Sequence, residues 1–164
     1  MASLIANLLT DEELETNGSW VTYGAIVNDD GTSPEFKLKR VSIENIQYQK
    51  RITPLLKQID EIKGENPDIQ RIYELQKEMM GAFIDEMLVD WRNVKYPAKR
   101  NAKGEVVKDK KGNVVCEEMP FTPENVAKLL RNNKNAKDMN DWLVSQATDI
   151  SNYLAIKREQ DLKD

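Results

Sequence analysis

From Ile69 to Trp91, apolar side chains recur at steps of three and four residues: Ile69, Ile72, Tyr73, Met79, Met80, Phe83, Ile84, Met87, Leu88 and Trp91. That spacing returns to one side of an α-helix. It predicts about six helical turns with an apolar face wide enough to be the spine of a core. Gly81 interrupts the stripe at about 1 kcal/mol in helix propensity relative to alanine, and is read as a point where another backbone comes close. Met79, Met80 and Met87 offer an adaptable binding face, but core packing is the preferred reading.

The flanking segments follow other periods. Gly18 to Val27 is rich in β-branched and aromatic residues, Asn28 to Pro34 gathers turn formers, and Phe36 to Val41 alternates apolar with basic, which predicts a β-hairpin. Phe36, Leu38 and Val41 cannot share one face under strict alternation, so the second strand is expected to end or bulge near Arg40. Ser42 offers an N-cap and Thr53-Pro54 a second start signal, predicting a kinked or divided helix over 43–62, with Asn66-Pro67 launching the next one. Thr10-Asp11-Glu12-Glu13 reads as a helix start following an apolar stretch, rather than as a secretory cleavage site.

Downstream, two eight-residue blocks resemble each other: Lys103-Gly104-Glu105-Val106-Val107 and onward, then Lys111-Gly112-Asn113-Val114-Val115 and onward. They predict one hairpin with the Val-Val pieces as strands and Lys108 to Asn113 as its turn. Thr122-Pro123 restarts helix, with Val126, Leu129 and Leu130 as its stripe. A last helix from Asp138 places Met139, Trp142, Leu143, Ile150, Tyr153 and Leu154 on one face, and its charged tail 157–164 is expected to fray. The expected architecture is α+β: a single domain over 1–164, mainly helical with four to five helices, an N-terminal β-hairpin and a small basic hairpin inserted at about 95–118.

The chain of 164 residues is long enough to bury a core without staples, and it contains no histidine and a single cysteine, Cys116. Histidine-based nucleophile arrangements, histidine proton relays and His/Cys metal sites are thereby excluded. The net charge of −4 hides an asymmetry. Between Arg92 and Lys111 lie eight basic and two acidic residues, leaving 16 basic and 26 acidic elsewhere, so a basic arm projects from an acidic body. The longest apolar run, Met79 to Ile84, falls far short of the roughly 18 residues a bilayer span needs. No membrane association is expected, and the reading is of a protein of the cytoplasm with its cysteine reduced.

Carboxylates such as Asp85, Glu86 and Asp90 are close enough in sequence for an acid–base pair or a magnesium site. Acids on solvated helix faces explain them more simply. No catalytic residue, cofactor or metal ligand is assigned, and Gly104 and Gly112 are read as turn glycines rather than a phosphate cradle. The arm, with Lys108, Lys110 and Lys111 at its tip, offers electrostatic contacts to phosphates or to an acidic protein surface. Only Trp91 and Tyr96 near it are available for base stacking. A small nucleic-acid-binding regulatory protein using residues 92–111 is therefore the alternative reading.

The order of motifs carries more than any one of them. A Gly18-Ser19-Trp20-Val21 strand, the basic strand Phe36 to Val41 and Asn45 with Tyr48 make the first half. Val89-Asp90-Trp91-Arg92-Asn93-Val94, then Pro120-Phe121-Thr122-Pro123-Glu124-Asn125, then Trp142 with Ala147, Asp149, Asn152 and Tyr153 make the second. Together they resemble the tail assembly chaperones of long-tailed, siphovirus-type bacteriophages and prophages, from about Gly18 to Tyr153. The resemblance implies a non-enzymatic factor in the host cytoplasm, absent from the mature virion. It would bind and solubilise the tape measure protein and help recruit tail tube protein, the latter through a longer form made by ribosomal frameshifting. It also implies self-association into a homo-oligomer. The segment from Trp91 to Phe121 is longer than that family's compact turn. Trp142, Tyr153 and Leu154 are the candidates for a partner-facing strip, although for Trp142 a place in the core is the preferred reading.

Overall fold

The computed structural model describes residues 3–163. Its sheet begins with β1 (Ser19–Thr22) and β2 (Glu35–Leu38), paired antiparallel with Val21 opposite Phe36. Alternation along β2 sends Phe36 and Leu38 fully inward and leaves Glu35 and Lys37 at the rim. The strand ends at Leu38, so Val41 reaches the core by another route, its N–H donating to the carbonyl of Ala147 at 2.9 Å.

Two long helices follow, α3 (Ile46–Ile62) and α4 (Ile69–Met87). The expected division at Thr53-Pro54 does not occur. α3 runs on through Pro54, and the Thr53 hydroxyl donates back to the Gln49 carbonyl at 2.7 Å instead of capping a new helix. Asn45 stands at the N-cap of α3, with its side chain accepting the Ser42 N–H. α4 starts two residues later than its Asn66-Pro67 signal suggests, because the Asp68 carboxylate caps it through the Arg71 N–H. The two helices form an antiparallel-type hairpin locked by Tyr48 edge-on to Phe83, ring centroids 6.2 Å apart. What approaches Gly81 is a side chain, not a backbone: a Cβ there would lie 3.3 Å from the Arg131 guanidinium.

The largest departure from the sequence reading lies at the end of α4. The helix stops at Met87, and Leu88–Arg92 is a third strand, β3, pairing with β2 to complete an antiparallel sheet in the order β1-β2-β3. Phe36 faces Trp91, but Leu38 faces Leu88, so Val89 is an extra residue in the ladder. β2 itself simply ends at Leu38, short of Arg40, and the irregularity lies on its partner strand. It also explains the misreading, because it lets Leu88 and Trp91, three apart, both point inward and imitate helical spacing.

A short ladder, β4 (Lys95–Tyr96) with β5 (Glu117–Glu118), closes the base of the basic arm. After it, Thr122 caps α5 (Pro123–Val126) through the Asn125 N–H with Pro123 at the first position, as its sequence predicts. The chain then widens into a π-helical turn over Ala127–Arg131. The last predicted helix is three elements: α6 (Lys137–Thr148), a 3₁₀ turn over Ile150–Tyr153 and α7 (Ala155–Lys163). Asp149 makes the break by accepting the Ser151 N–H, and the tail expected to fray is helical through Lys163, with Asp164 outside the described residues. At the other end, α1 (Leu4–Leu8) and α2 (Glu12–Asn17) precede the sheet, α2 capped by Asp11. The α+β class stands, with seven α-helices among the described residues instead of four or five.

Candidate functional site

Among the residues predicted to face a partner, two are spent on the core. Tyr153 has no exposed surface, and its hydroxyl donates to the Leu38 carbonyl at 3.0 Å across the sheet. Burial pushes its phenol well above the ordinary value. Trp142 is half-buried, edge-on to Tyr23 at 4.9 Å and to Phe36 at 6.3 Å, in an aromatic cluster that continues through Trp91 to Phe121. Leu154 is also half-buried, bridged through its backbone to Thr10. The proposed strip on the last helix does not form, because the turn at Asp149 rotates its two halves apart.

The apolar surface left in water lies elsewhere. α1 buries none of its residues, yet carries Leu4 (76% exposed), Ile5 (71%) and Leu8 (60%), with Leu9 beyond it. It is held in place: the Leu9 carbonyl accepts the Ala155 N–H at 2.9 Å and the Asp11 N–H donates to the Tyr153 carbonyl at 2.8 Å. These bonds tie the end of α1 to the start of α7, a helix that itself exposes Ile156 and Leu162. A second apolar area is an open groove of about 590 Å³ along the start of α3, lined by Ile43, Ile46 and Pro54 with Gln49, Lys50 and Thr53. The signal was present in the sequence as Leu4-Ile5 and Leu8-Leu9, apolar pairs one helical turn apart. Nothing local showed that no core would cover them.

The third feature is the arm. Its repeat builds two successive hairpin turns rather than one, forming a three-stranded meander with bridges Arg100↔Val106 and Lys108↔Val114. Each turn follows one plan. The Asn101 N–H donates to the Glu105 carbonyl and the Asp109 N–H to that of Asn113, while Gly104 and Gly112 donate back to Asn101 and Asp109 with φ of 79° and 83°. Both turns end on a left-handed glycine, and the side-chain oxygen of Asn101 or Asp109 accepts two further N–H groups, from Lys103 and Glu105 or from Lys111 and Asn113. The base is pinned by Lys95 on Glu118 and Lys99 on Glu117, and the hydrogen bond to Glu118 pushes the Lys95 ammonium pKa up. At the outer end Arg100, Lys103, Lys108, Lys110 and Lys111 are exposed and enter no ion pair among the described residues.

The carboxylates singled out for acid–base work are tied down. Asp85 pairs with both Arg51 and Arg131, Glu86 pairs with Arg51, and Asp90 accepts the Trp91 N–H at 2.8 Å. Among the described residues, no three His, Cys, Asp or Glu side chains converge in a metal-holding group, and no helix is long and apolar enough to cross a membrane.

No curated protein and no solved structure matches this chain. A family model described as YdaY prophage protein does, over residues 43–164, which takes in α3 to α7, β3 and the whole arm. Since that match spans most of the sequence, the chain belongs to the YdaY prophage protein family.

Proposed function

We propose that this prophage protein is a non-enzymatic tail assembly chaperone that binds the tape measure protein, keeps it soluble and helps bring tail tube subunits to it in the host cytoplasm. The observation that carries the reading is α1: three large aliphatic side chains on a helix with no buried residue, tethered at its end to the start of α7. Leaving Leu4, Ile5 and Leu8 in water forgoes about 1.5–3 kcal/mol for each. An amphipathic helix laid across them recovers that energy through an apolar seam, the chemistry suited to a long helical partner. The order of sequence motifs from Gly18 to Tyr153 supports the same reading.

Co-expression with the tape measure gene of the same prophage tests it. The partner should become soluble and co-purify with the chaperone, and changing Leu4, Ile5 and Leu8 together to serine should abolish both effects with the melting temperature unaltered. A tape measure protein that stays insoluble, or that is rescued equally by the serine variant, would defeat the proposal.

A further inference from the structure

The arm offers a different kind of surface, and its charge poses its own question. Five cations project from a meander held by backbone hydrogen bonds, and none has a counter-ion among the described residues. Lys103 and Lys111 occupy the same position in the two turns, so the repeat duplicates a presented charge. A polyanion such as nucleic acid fits poorly. No aromatic residue lies between Tyr96 and Phe121 to stack a base, Glu105 and Asp109 are interleaved with the cations, and the rest of the chain carries 26 acidic against 16 basic residues.

The complementary charge is on the same chain. Where α3 turns into α4, Asp60, Glu61, Glu65 and Asp68 are all exposed within nine residues, with Lys63 as the single base. Lys63 lies 4.0 Å from Asp60, at the limit of an ion pair. This acidic tip stands at the start of α4, about 27 Å along the helix from Met87, and β3 then runs on toward the base of the arm. No ion pair joins arm and tip within one chain among the described residues.

We infer that the arm of one copy docks on the acidic α3–α4 tip of a second copy, making a head-to-tail contact between molecules of this chain. A contact joining two different patches repeats from copy to copy and builds an open chain or a ring rather than a closed pair. Both surfaces are exposed and charged, so the contact is salt-sensitive and exchanges quickly. This inference does not depend on the tape measure reading, because α1 takes no part in it.

Sedimentation velocity on the intact protein tests it. In about 0.05 M salt the wild type should form a concentration-dependent series of oligomers that dissociates near 0.5 M, as screening predicts. The triple variant Lys108→Glu, Lys110→Glu, Lys111→Glu should weaken association by roughly tenfold or more. So should the triple variant Asp60→Lys, Glu61→Lys, Glu65→Lys, which leaves the Asp68 cap of α4 in place. Mixing the two variants should restore mixed oligomers, an outcome that simple misfolding of either cannot produce. Circular dichroism of each variant should match the wild type. A wild type that is monomeric at low salt, oligomers indifferent to arm reversal, or a mixture that fails to reassociate would overturn the inference. So would wild-type self-association displaced by duplex DNA at stoichiometric amounts.

Discussion

The β1-β2-β3 sheet and the meander of the arm are both antiparallel and both short, but they are held by opposite means. In the first, backbone pairing is the lesser part. Phe36 and Leu38 lie at zero exposure, Phe36 edge-on to Trp91 and Trp142 and their strand packed on α6, and the sheet exists because those side chains leave water together. In the second, Val106, Val107, Val114 and Val115 are only half-buried, and the form comes from two turns that each satisfy their own donors. A region held by burial has little sequence to spare. One held by turn chemistry fixes an Asn or Asp and a glycine per turn and leaves the remaining positions free to carry charge outward.

The comparison breaks most sharply at Phe36. Phe36→Ala should cost about 3–5 kcal/mol, since it removes a fully buried ring touching two tryptophans and leaves a cavity the sheet cannot close. Urea unfolding should show a midpoint shifted by that amount or no folded baseline at all. A shift under about 1 kcal/mol would mean that the sheet is also held mainly by its turns.

Tyr153 gives the next largest effect and adds a pH signature. Tyr153→Phe leaves the Leu38 carbonyl without its buried donor, at about 1–3 kcal/mol near neutral pH. Because burial raises the phenol's pKa in the folded chain above its unfolded value near 10, the folded state holds the proton longer. That stability is fully present below about pH 10 and is lost as pH rises beyond it. The wild type should therefore weaken in strong alkali more steeply than the phenylalanine variant, measured as unfolding free energy between pH 9 and 11. Tyr48, whose phenol is also raised by burial, contributes a slope common to both.

The same contrast governs how much was legible in the sequence. Turns and caps are local chemistry, so the hairpin around Asn28–Thr32, the Thr122-Pro123 start and the turn glycines Gly104 and Gly112 could be read from adjacent residues, whereas the start signal at Thr53-Pro54 was overridden by the continuing helix. Elements fixed by tertiary packing could not. Leu88 and Trp91 fit a helical stripe and a bulged strand equally well, and only the presence of β2 decides between them. The duplicated block was read as one hairpin because two tandem turns need a third short strand, at Lys99 to Asn101, that carries no apolar signal. For the partner surface, the terminal helix face looked continuous from Met139 to Leu154 because periodicity is blind to the backbone turn at Asp149. The apolar pairs of α1 could be seen but not their exposure, which is a property of what fails to pack against them.

Within the arm, the glycines should matter locally and not globally. Gly104→Ala and Gly112→Ala meet no atom within 4 Å, so the whole penalty is the left-handed backbone, about 1–2 kcal/mol each. Hydrogen exchange at the Glu105 or Asn113 amide should quicken in the corresponding variant, while the global unfolding midpoint moves little. A large global shift would show that the meander is structurally continuous with the core through β4 and β5.

The smallest effect bears most directly on what the arm is for. Lys103, Lys108, Lys110 and Lys111 touch no acid among the described residues, so replacing any one with alanine should change stability by less than about 0.5 kcal/mol in either direction. The direction is informative. Cations crowded on one tip repel each other, and removing one relieves that repulsion, so the lysine variants should be neutral or slightly more stable, with the gain disappearing as salt rises. Thermal melts of the four single variants at low and high salt would measure this. A slight gain at low salt marks a tip whose charge is a cost to the isolated chain, carried because something outside the chain neutralises it. A loss would place an acid of the same molecule against the lysine and return the arm to the body.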